Sequence, residues 1–187
     1  MKLVEEFTVT ESPDVVWRFF EDVPAVASCL PGAELTEITA DGEYVGRVAA
    51  KLGPMTASFQ GRATITRDDE QRTGRIEGRG ADRNSGSRAS MTLVYTIRPA
   101  GEETGVTVDA DLRLSGAIAQ FGRTGLVREM SSRLTAEFVR CLESRLAAAT
   151  PQEAAVIRAA EVRGLSLLFG SLASSLRRLI RRVFRRS

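Results

Sequence analysis

The chain has 187 residues, 43% of them hydrophobic, with a formal net charge of +2 and no histidine. This length fits one domain plus an appendage, with enough apolar material for a buried core. The missing histidine removes the usual general base, the usual catalytic triad and the commonest metal ligand. Charge is unevenly spread: residues 162–187 hold seven arginines and no acid, leaving −5 over residues 1–161. A basic tail on a mildly acidic body points to a polyanionic partner for the tail. The N-terminal Met-Lys-Leu-Val-Glu-Glu-Phe has no apolar h-region and no small-residue cleavage site, so no signal peptide is expected. Cys29 and Cys141 lie far apart without companion ligands and are expected as buried free thiols, which suits a cytoplasmic protein.

Residues 3–9 alternate as a first strand. Ser12-Pro13-Asp14 opens a helix, with Ser12 as N-cap, Pro13 in the first position, and Val15, Val16, Phe19 and Phe20 on its apolar side. Trp17, the only tryptophan, is expected to pack beneath the helices. A second short helix over 23–28 ends before the turn Leu30-Pro31-Gly32. Six strands follow without an intervening helix, at 34–38, 44–52, 55–66, 73–81, 89–98 and 105–114, with a hairpin through Gly53-Pro54. Such a run implies an antiparallel sheet.

Alternation assigns its faces. One parity carries Tyr44, Val48, Phe59, Ile65, Ile76, Met91, Leu93, Tyr95, Ile97, Val106, Val108, Leu112 and Leu114. The other carries Arg47, Lys51, Gln60, Arg62, Arg75, Glu77, Arg79, Asp109, Asp111 and Arg113. The apolar face also holds Gly46, Ala50, Ala57, Gly61, Ala63, Gly78, Gly80 and Ala110. These small residues either leave room on a concave surface or mark bends where the sheet coils. Asp109 and Asp111 share the wet face with arginines and read as solvated. Gly78-Arg79-Gly80 and Gly122-Arg123-Thr124-Gly125 lack the strand–loop–helix context and the Lys-Ser/Thr of a phosphate loop.

A long amphipathic helix is expected over 117–148, with Ile118, Phe121, Gly122, Leu126, Met130, Leu134, Phe138, Cys141, Leu142 and Leu146 at helical spacing. Thr150-Pro151-Gln152-Glu153 is a capping box that stops it and starts a helical linker over 150–163. From Leu165 the apolar residues Leu165, Leu168, Phe169, Leu172, Leu176, Leu179, Ile180, Val183 and Phe184 fall on one helical arc of roughly 160°. Arg177, Arg178, Arg181, Arg182 and Arg185 fall opposite, and Arg186 stands out of place. The longest uncharged run, 164–176, is 13 residues, well short of the ~20 needed to span a bilayer. A stripe of this kind suits a helix lying in an anionic membrane interface. Packing on its own domain or in a partner groove is the alternative. Nucleic acid is disfavoured because the arginines lack stacking partners.

The order of strand, two short helices, six antiparallel strands and a long C-terminal helix is the START-like helix-grip arrangement (SRPBCC superfamily). Within it, residues 1–148 resemble the CoxG family, which is associated with carbon monoxide dehydrogenase. The matching stretches are Ser12-Pro13-Asp14-Val15-Val16-Trp17, Cys29-Leu30-Pro31-Gly32-Ala33-Glu34, Gly53-Pro54 with Phe59-Gln60-Gly61-Arg62, the glycine-rich stretch from Gly78 to Gly86, and Gln120-Phe121-Gly122. The resemblance implies an α+β fold and a non-catalytic accessory protein that recruits a molybdenum-containing carbon monoxide dehydrogenase, or a related hydroxylase, to the membrane.

Together these features define three segments: a helix-grip domain (1–149), a linker (150–163) and a membrane tether (164–187). An apolar cavity between sheet and helix is expected, lined by Leu30, Tyr44, Val48, Phe59, Ile76, Met91, Tyr95, Leu114, Ile118, Phe121, Gly122 and Leu126. Tyr44 and Tyr95 are the only tyrosines, and a buried phenol needs a partner, from ligand or backbone. An apolar pocket with few polar groups, held at a bilayer beside an electron-producing enzyme, suits a respiratory quinone such as menaquinone, or another lipid-like ligand. No covalent cofactor, metal or nucleic acid is expected, and the protein is placed peripherally on the inner face of the cell membrane. A pure membrane adaptor without ligand is the main alternative, and a helix-grip cyclase the second. The absence of histidine and of an inward-facing acid speaks against the cyclase.

Overall fold

The computed structural model describes residues 1–52, 55–123 and 125–159, and for 50–52, 55, 120–123 and 126 it describes the backbone only. Seven antiparallel strands form one sheet in the order β1-β7-β6-β5-β4-β3-β2. They are β1 (Lys2–Val9), β2 (Ala33–Ile38), β3 (Tyr44–Leu52), β4 (Met55–Asp68), β5 (Thr73–Asp82), β6 (Ser87–Ala100) and β7 (Glu103–Ser115). Helices α1 (Pro13–Glu21) and α2 (Val23–Cys29) connect β1 to β2. A 3-10 segment (Gly116–Arg123), α3 (Leu126–Leu146) and α4 (Pro151–Val156) follow β7. The first strand thus closes against the last, and β2 to β7 run as an uninterrupted meander.

The pairing register fixes the two faces as the alternation predicts. Ile65 faces Ile76, Ile76 faces Leu93 and Leu93 faces Ala110 on the inner side, while Arg62 faces Arg79 on the outer. The main core lies under the helices. Val16, Phe19 and Phe20 of α1 and Phe138 and Leu142 of α3 bury against Tyr95, Ile97 and Val106. Trp17 belongs to this core, with its ring centroid 6.0 Å from that of Tyr95. One cross-strand pair there depends on glycine. Gly74 stands directly opposite Tyr95, and a Cβ at Gly74 would overlap the phenol ring, so the bare glycine makes the seat on which the ring lies.

Four expectations need correction. The helix expected over 117–148 is broken: Gly125 sits at φ 71°, in the left-handed region, and α3 proper begins only at Leu126. Ser12 occupies the N-cap of α1, but its side chain makes no capping bond; its carbonyl instead accepts from the N–H groups of Val15 and Val16, both at 3.0 Å. Cys29 and Cys141 are not free thiols but a disulfide, since α2 and α3 pack with the two Cα atoms 5.4 Å apart. Contact between helices 112 residues apart is invisible in sequence spacing, and the cysteines no longer speak for a cytoplasmic location.

The fourth correction concerns the linker. The capping box forms: Thr150 Oγ1 accepts from the Glu153 N–H at 3.2 Å, and Glu153 Oε2 accepts from the Ala149 N–H at 3.1 Å. The helix nevertheless ends at Val156, and residues 157–159 are not helical. They fold back onto the domain. Arg145 of α3 donates to the Ile157 carbonyl from Nε at 3.0 Å and Nη2 at 2.6 Å, and to Ser28 Oγ at 2.6 Å. The Ala159 N–H then donates to the Ser28 carbonyl at 3.1 Å, and Ile157 and Ala159 pack against the core. The folded unit therefore reaches at least residue 159. The Gly53-Pro54 turn, the rest of the linker and the tail 164–187 lie outside the described residues.

Truncation after Ala159 should leave the melting temperature close to that of the full chain. Truncation after Ala149 removes the acceptor for Arg145 and the Ile157 packing. It should cost about 1–2 kcal/mol, or roughly 2–8 °C in thermal denaturation. Equal melting of the two truncated forms would show that 150–159 adds nothing to the fold.

Candidate functional site on the concave face

The inner face of the sheet is built in cross-strand rows. One row runs Gly46–Gly61–Gly80–Ala89–Leu114 from β3 to β7, and the next runs Tyr44–Ala63–Gly78–Met91–Leu112. Three glycines in succession make the first row a shallow trough. The sequence left open whether such residues make room or permit bending, and the structure divides them. A Cβ at Gly61 would overlap the Arg79 carbonyl and the Gly80 Cα, and one at Gly46 would overlap the Glu34 carbonyl. Those two glycines let neighbouring backbones close up where the sheet coils. At Gly78 a Cβ would meet nothing nearer than the Ala63 Cβ at 3.8 Å, so this glycine leaves space. A leucine at Gly61 is therefore not a cavity-filling change, contrary to what its inward parity implies.

The expected lining residues do not all meet in one place. Tyr95 is 3% exposed inside the main core, with its ring centroid 4.9 Å from that of Phe20, and Ile76 packs at the edge of that core. Burial pushes the Tyr95 phenol up from its ordinary value, and the neighbouring Arg67 guanidinium opposes this. Ile118 is buried in a second, smaller cluster with Ala57 and Met130, against which Phe59 and Leu114 pack. Tyr44 and Met91 are half-buried in the row between the clusters. Leu30 and Val48, 41% and 51% exposed, form an uncovered apolar rim at the β2–β3 side. The side chains of Phe121, Gly122 and Leu126 lie outside the described residues.

Two polar features escaped the sequence reading. Glu5 points to the inner side of β1, opposite Val108, so an inward-facing acid does exist. It is engaged: Ser132 Oγ of α3 donates to its two oxygens at 3.2 and 3.3 Å. The second feature closes the end of the trough. Buried Asp82 accepts from the N–H groups of Ser58 at 3.2 Å, Asn84 at 2.9 Å and Ser85 at 3.4 Å. Ser85 and Ser87 share a hydroxyl bond at 2.9 Å, and Ser87 Oγ accepts from the Ile118 N–H at 3.1 Å. This chain pins the 3-10 segment, and with it Ile118, onto the sheet. The Ser58 N–H above all, with the Ser85 and Asn84 groups, holds the Asp82 carboxyl below its usual 3.8 against the opposing effect of burial. The partner of Asp82 on β4, 24 residues away in sequence, was not legible.

Among the described residues no cluster of acids or cysteines could hold a metal ion, and no helix is long and apolar enough to cross a membrane. The family model for CoxG, the G subunit of carbon monoxide dehydrogenase, matches residues 6–147, and the chain belongs to that family. No curated protein matches it. Solved structures share the fold. A conserved protein from Geobacillus kaustophilus superposes with a TM-score of 0.63 at 14% identity, covering 75% of this chain and 93% of its own. TTHA0849 from Thermus thermophilus gives 0.55 at 22% identity, covering 80% and 99%. The Zhui aromatase/cyclase from Streptomyces sp. R1128 gives 0.53 at 17% identity, covering 80% and 96%. These likenesses establish a helix-grip fold, and at such identities nothing more.

The Asp82 relay predicts an acid-labile end of the trough. Because its folded pKa is depressed, its contribution is fully present above about pH 4 and is lost as pH falls through the folded value. Asp82→Asn should be less stable than the wild type at pH 7, with the gap narrowing by pH 3. Urea denaturation at both pH values checks this, and a gap independent of pH would show that the carboxylate charge is not what holds the turn.

Proposed function

We propose that this domain is a non-catalytic carrier that holds an apolar ligand, a respiratory quinone such as menaquinone, against the concave face. In this reading it presents the quinone to a molybdenum-containing carbon monoxide dehydrogenase or a related hydroxylase, while the tail 164–187 keeps it on the inner surface of the cell membrane. The observation that carries the reading is the juxtaposition at Ser28. Its carbonyl anchors Ala159, the last described residue before the basic amphipathic segment, and Leu30 of the apolar rim lies two residues further on. In this reading the tether holds the domain so that the uncovered rim of Leu30 and Val48 meets the bilayer, where an apolar ligand would enter. Family membership supports the partnership with the dehydrogenase. The want of histidine and the engagement of Glu5 by Ser132 support the lack of catalysis. A quinone ring is flat and apolar, and a glycine-floored trough beside Tyr44 and Met91 suits such a shape.

Mass spectrometry of organic extracts from the purified protein tests the ligand. Wild type should carry quinone. Gly78→Leu, which fills the open row without striking backbone, should lose it while melting within a few degrees of wild type. Overpacking an occupied core would instead cost about 1–3 kcal/mol. Lowered melting of Gly78→Leu, with no quinone in wild type, would leave a membrane adaptor without ligand.

Liposome pelleting tests the tether. Each arginine near an anionic surface contributes about 1 kcal/mol and is screened by salt. Binding should require anionic lipid, weaken in high salt and disappear when Arg177, Arg178, Arg181 and Arg182 are all changed to Gln. Undiminished binding to neutral vesicles would remove the electrostatic half of the tether.

A further inference from the structure

The outer face of the sheet carries a feature that a ligand carrier does not need. Arg62 of β4 stands directly opposite Arg79 of β5, Arg79 opposite Ser90 of β6, and Ser90 opposite Arg113 of β7. Strands lie about 4.8 Å apart, so three guanidinium groups share one row about 14 Å long across four strands. Arg88 stands two residues from Ser90 on the same face. Coiling of the sheet at Gly61 and Gly80, the neighbours of Arg62 and Arg79, hollows this face into a cleft of about 530 Å³ lined by all four arginines.

Three of these four arginines lack an ion-pair partner. Arg62 pairs with Glu43 at 2.7 Å, but among the described residues Arg79, Arg88 and Arg113 have no carboxylate within 4 Å. Glu43, Glu77 and Asp111 line a neighbouring cleft with Arg62, Arg79 and Arg113, and they are held by Arg62 at 2.7 Å, Arg75 at 2.7 Å and the N-terminal ammonium at 3.3 Å. Like charges set directly opposite on a sheet oppose folding. Arg79, Arg88 and Arg113, which hold no carboxylate of their own among the described residues, are open to external carboxylates, which guanidinium binds in bidentate fashion.

The basic tail cannot be that anion, because it bears only arginines and no acid. An anionic bilayer fits poorly as well. It is flat where this face is hollow, and it would meet the Glu77 and Asp111 row along with the arginines. A protein surface can match the two bands, acid against arginine and base against acid. We infer that the Arg62–Arg79–Arg113 row with Arg88 is the docking surface for an acidic patch on a partner protein. The inference rests on the reading that the domain serves a protein partner, and it adds which face that partner meets.

The test measures binding of full-length protein to purified molybdenum carbon monoxide dehydrogenase holoenzyme from the same organism, by calorimetry across a salt series. Arg79→Gln/Arg113→Gln should weaken Kd at least tenfold and flatten its salt dependence. Quinone content and liposome pelleting should not change. Melting should be equal to wild type or higher, since a like-charge contact has been removed. Wild-type affinity in the double variant would overturn the docking surface while leaving the partnership intact. A lower melting temperature would make the row structural, and loss of liposome binding would make it a membrane face; either overturns the inference. Failure of the wild type itself to bind the dehydrogenase would overturn both this inference and the partnership on which it rests.

Discussion

Close approach of backbone at the inner glycine row governs the rest of the molecule. Gly46, Gly61 and Gly80 stand side by side on β3, β4 and β5, and at the first two a side chain would strike the neighbouring strand. The sheet can coil there because nothing projects inward. Coiling turns one face into a trough and the other into a saddle. It also separates the two apolar clusters, since the main core sits where Tyr95 and the α1 aromatics fill the curve and the smaller one where Ile118 reaches the far end. A flat sheet with the same alternation would have offered α3 one continuous apolar surface.

How the helices are fastened decides which part of that surface stays open. The Cys29–Cys141 disulfide joins α2 to α3, and Arg145, four residues after Cys141, ties the same two helices to the returning chain at Ile157. On the other side Ser132 anchors α3 to Glu5 of the edge strand. Fixed at both ends, α3 serves the β1, β6 and β7 side, and Leu30 and Val48 on the β2 and β3 side remain exposed. Closing a loop of 112 residues restricts the unfolded chain strongly, by several kcal/mol in the chain-entropy account. The bond and the polar contacts beside it thus reinforce one junction.

Much of this was legible in the residues. Period-two alternation from Tyr44 to Leu114 gave strand identity and facing correctly, because a strand with one buried face can satisfy its side chains in only one register. The capping box at Thr150 was equally readable, being a local pattern of hydrogen bonds. What escaped depends on contacts distant in sequence. The cysteine pair, the Glu5–Ser132 contact and the return of Ile157 to Arg145 each join elements whose proximity follows only from the finished packing. The break at Gly125 escaped for a different reason: apolar spacing continues smoothly through it, and periodicity does not register one left-handed residue. In the candidate site, Val48, Tyr44 and Met91 could be placed on one face by parity. Tyr95 and Ile76 share that parity yet belong to the core, because α1 covers their end of the sheet.

The arginine row shows why parity is weaker than register as a guide to function. Taken strand by strand, Arg62, Arg79 and Arg113 are single wet-face residues of the kind any half-exposed sheet carries. Register sets them in one line, and the ion-pair pattern then tells them apart from Arg47 and Arg75, which already hold Glu34 and Glu77. Selection for stability alone would place an acid opposite Arg79, since a cross-strand ion pair adds a few tenths of a kcal/mol where a like pair removes as much. In the neighbouring row Glu77 is held by Arg75 of its own strand, so an acid on this face does find a partner. Arg79, Arg88 and Arg113 hold no such partner among the described residues. Those three guanidinium groups stay available to carboxylates from outside the fold, as the proposed docking surface requires.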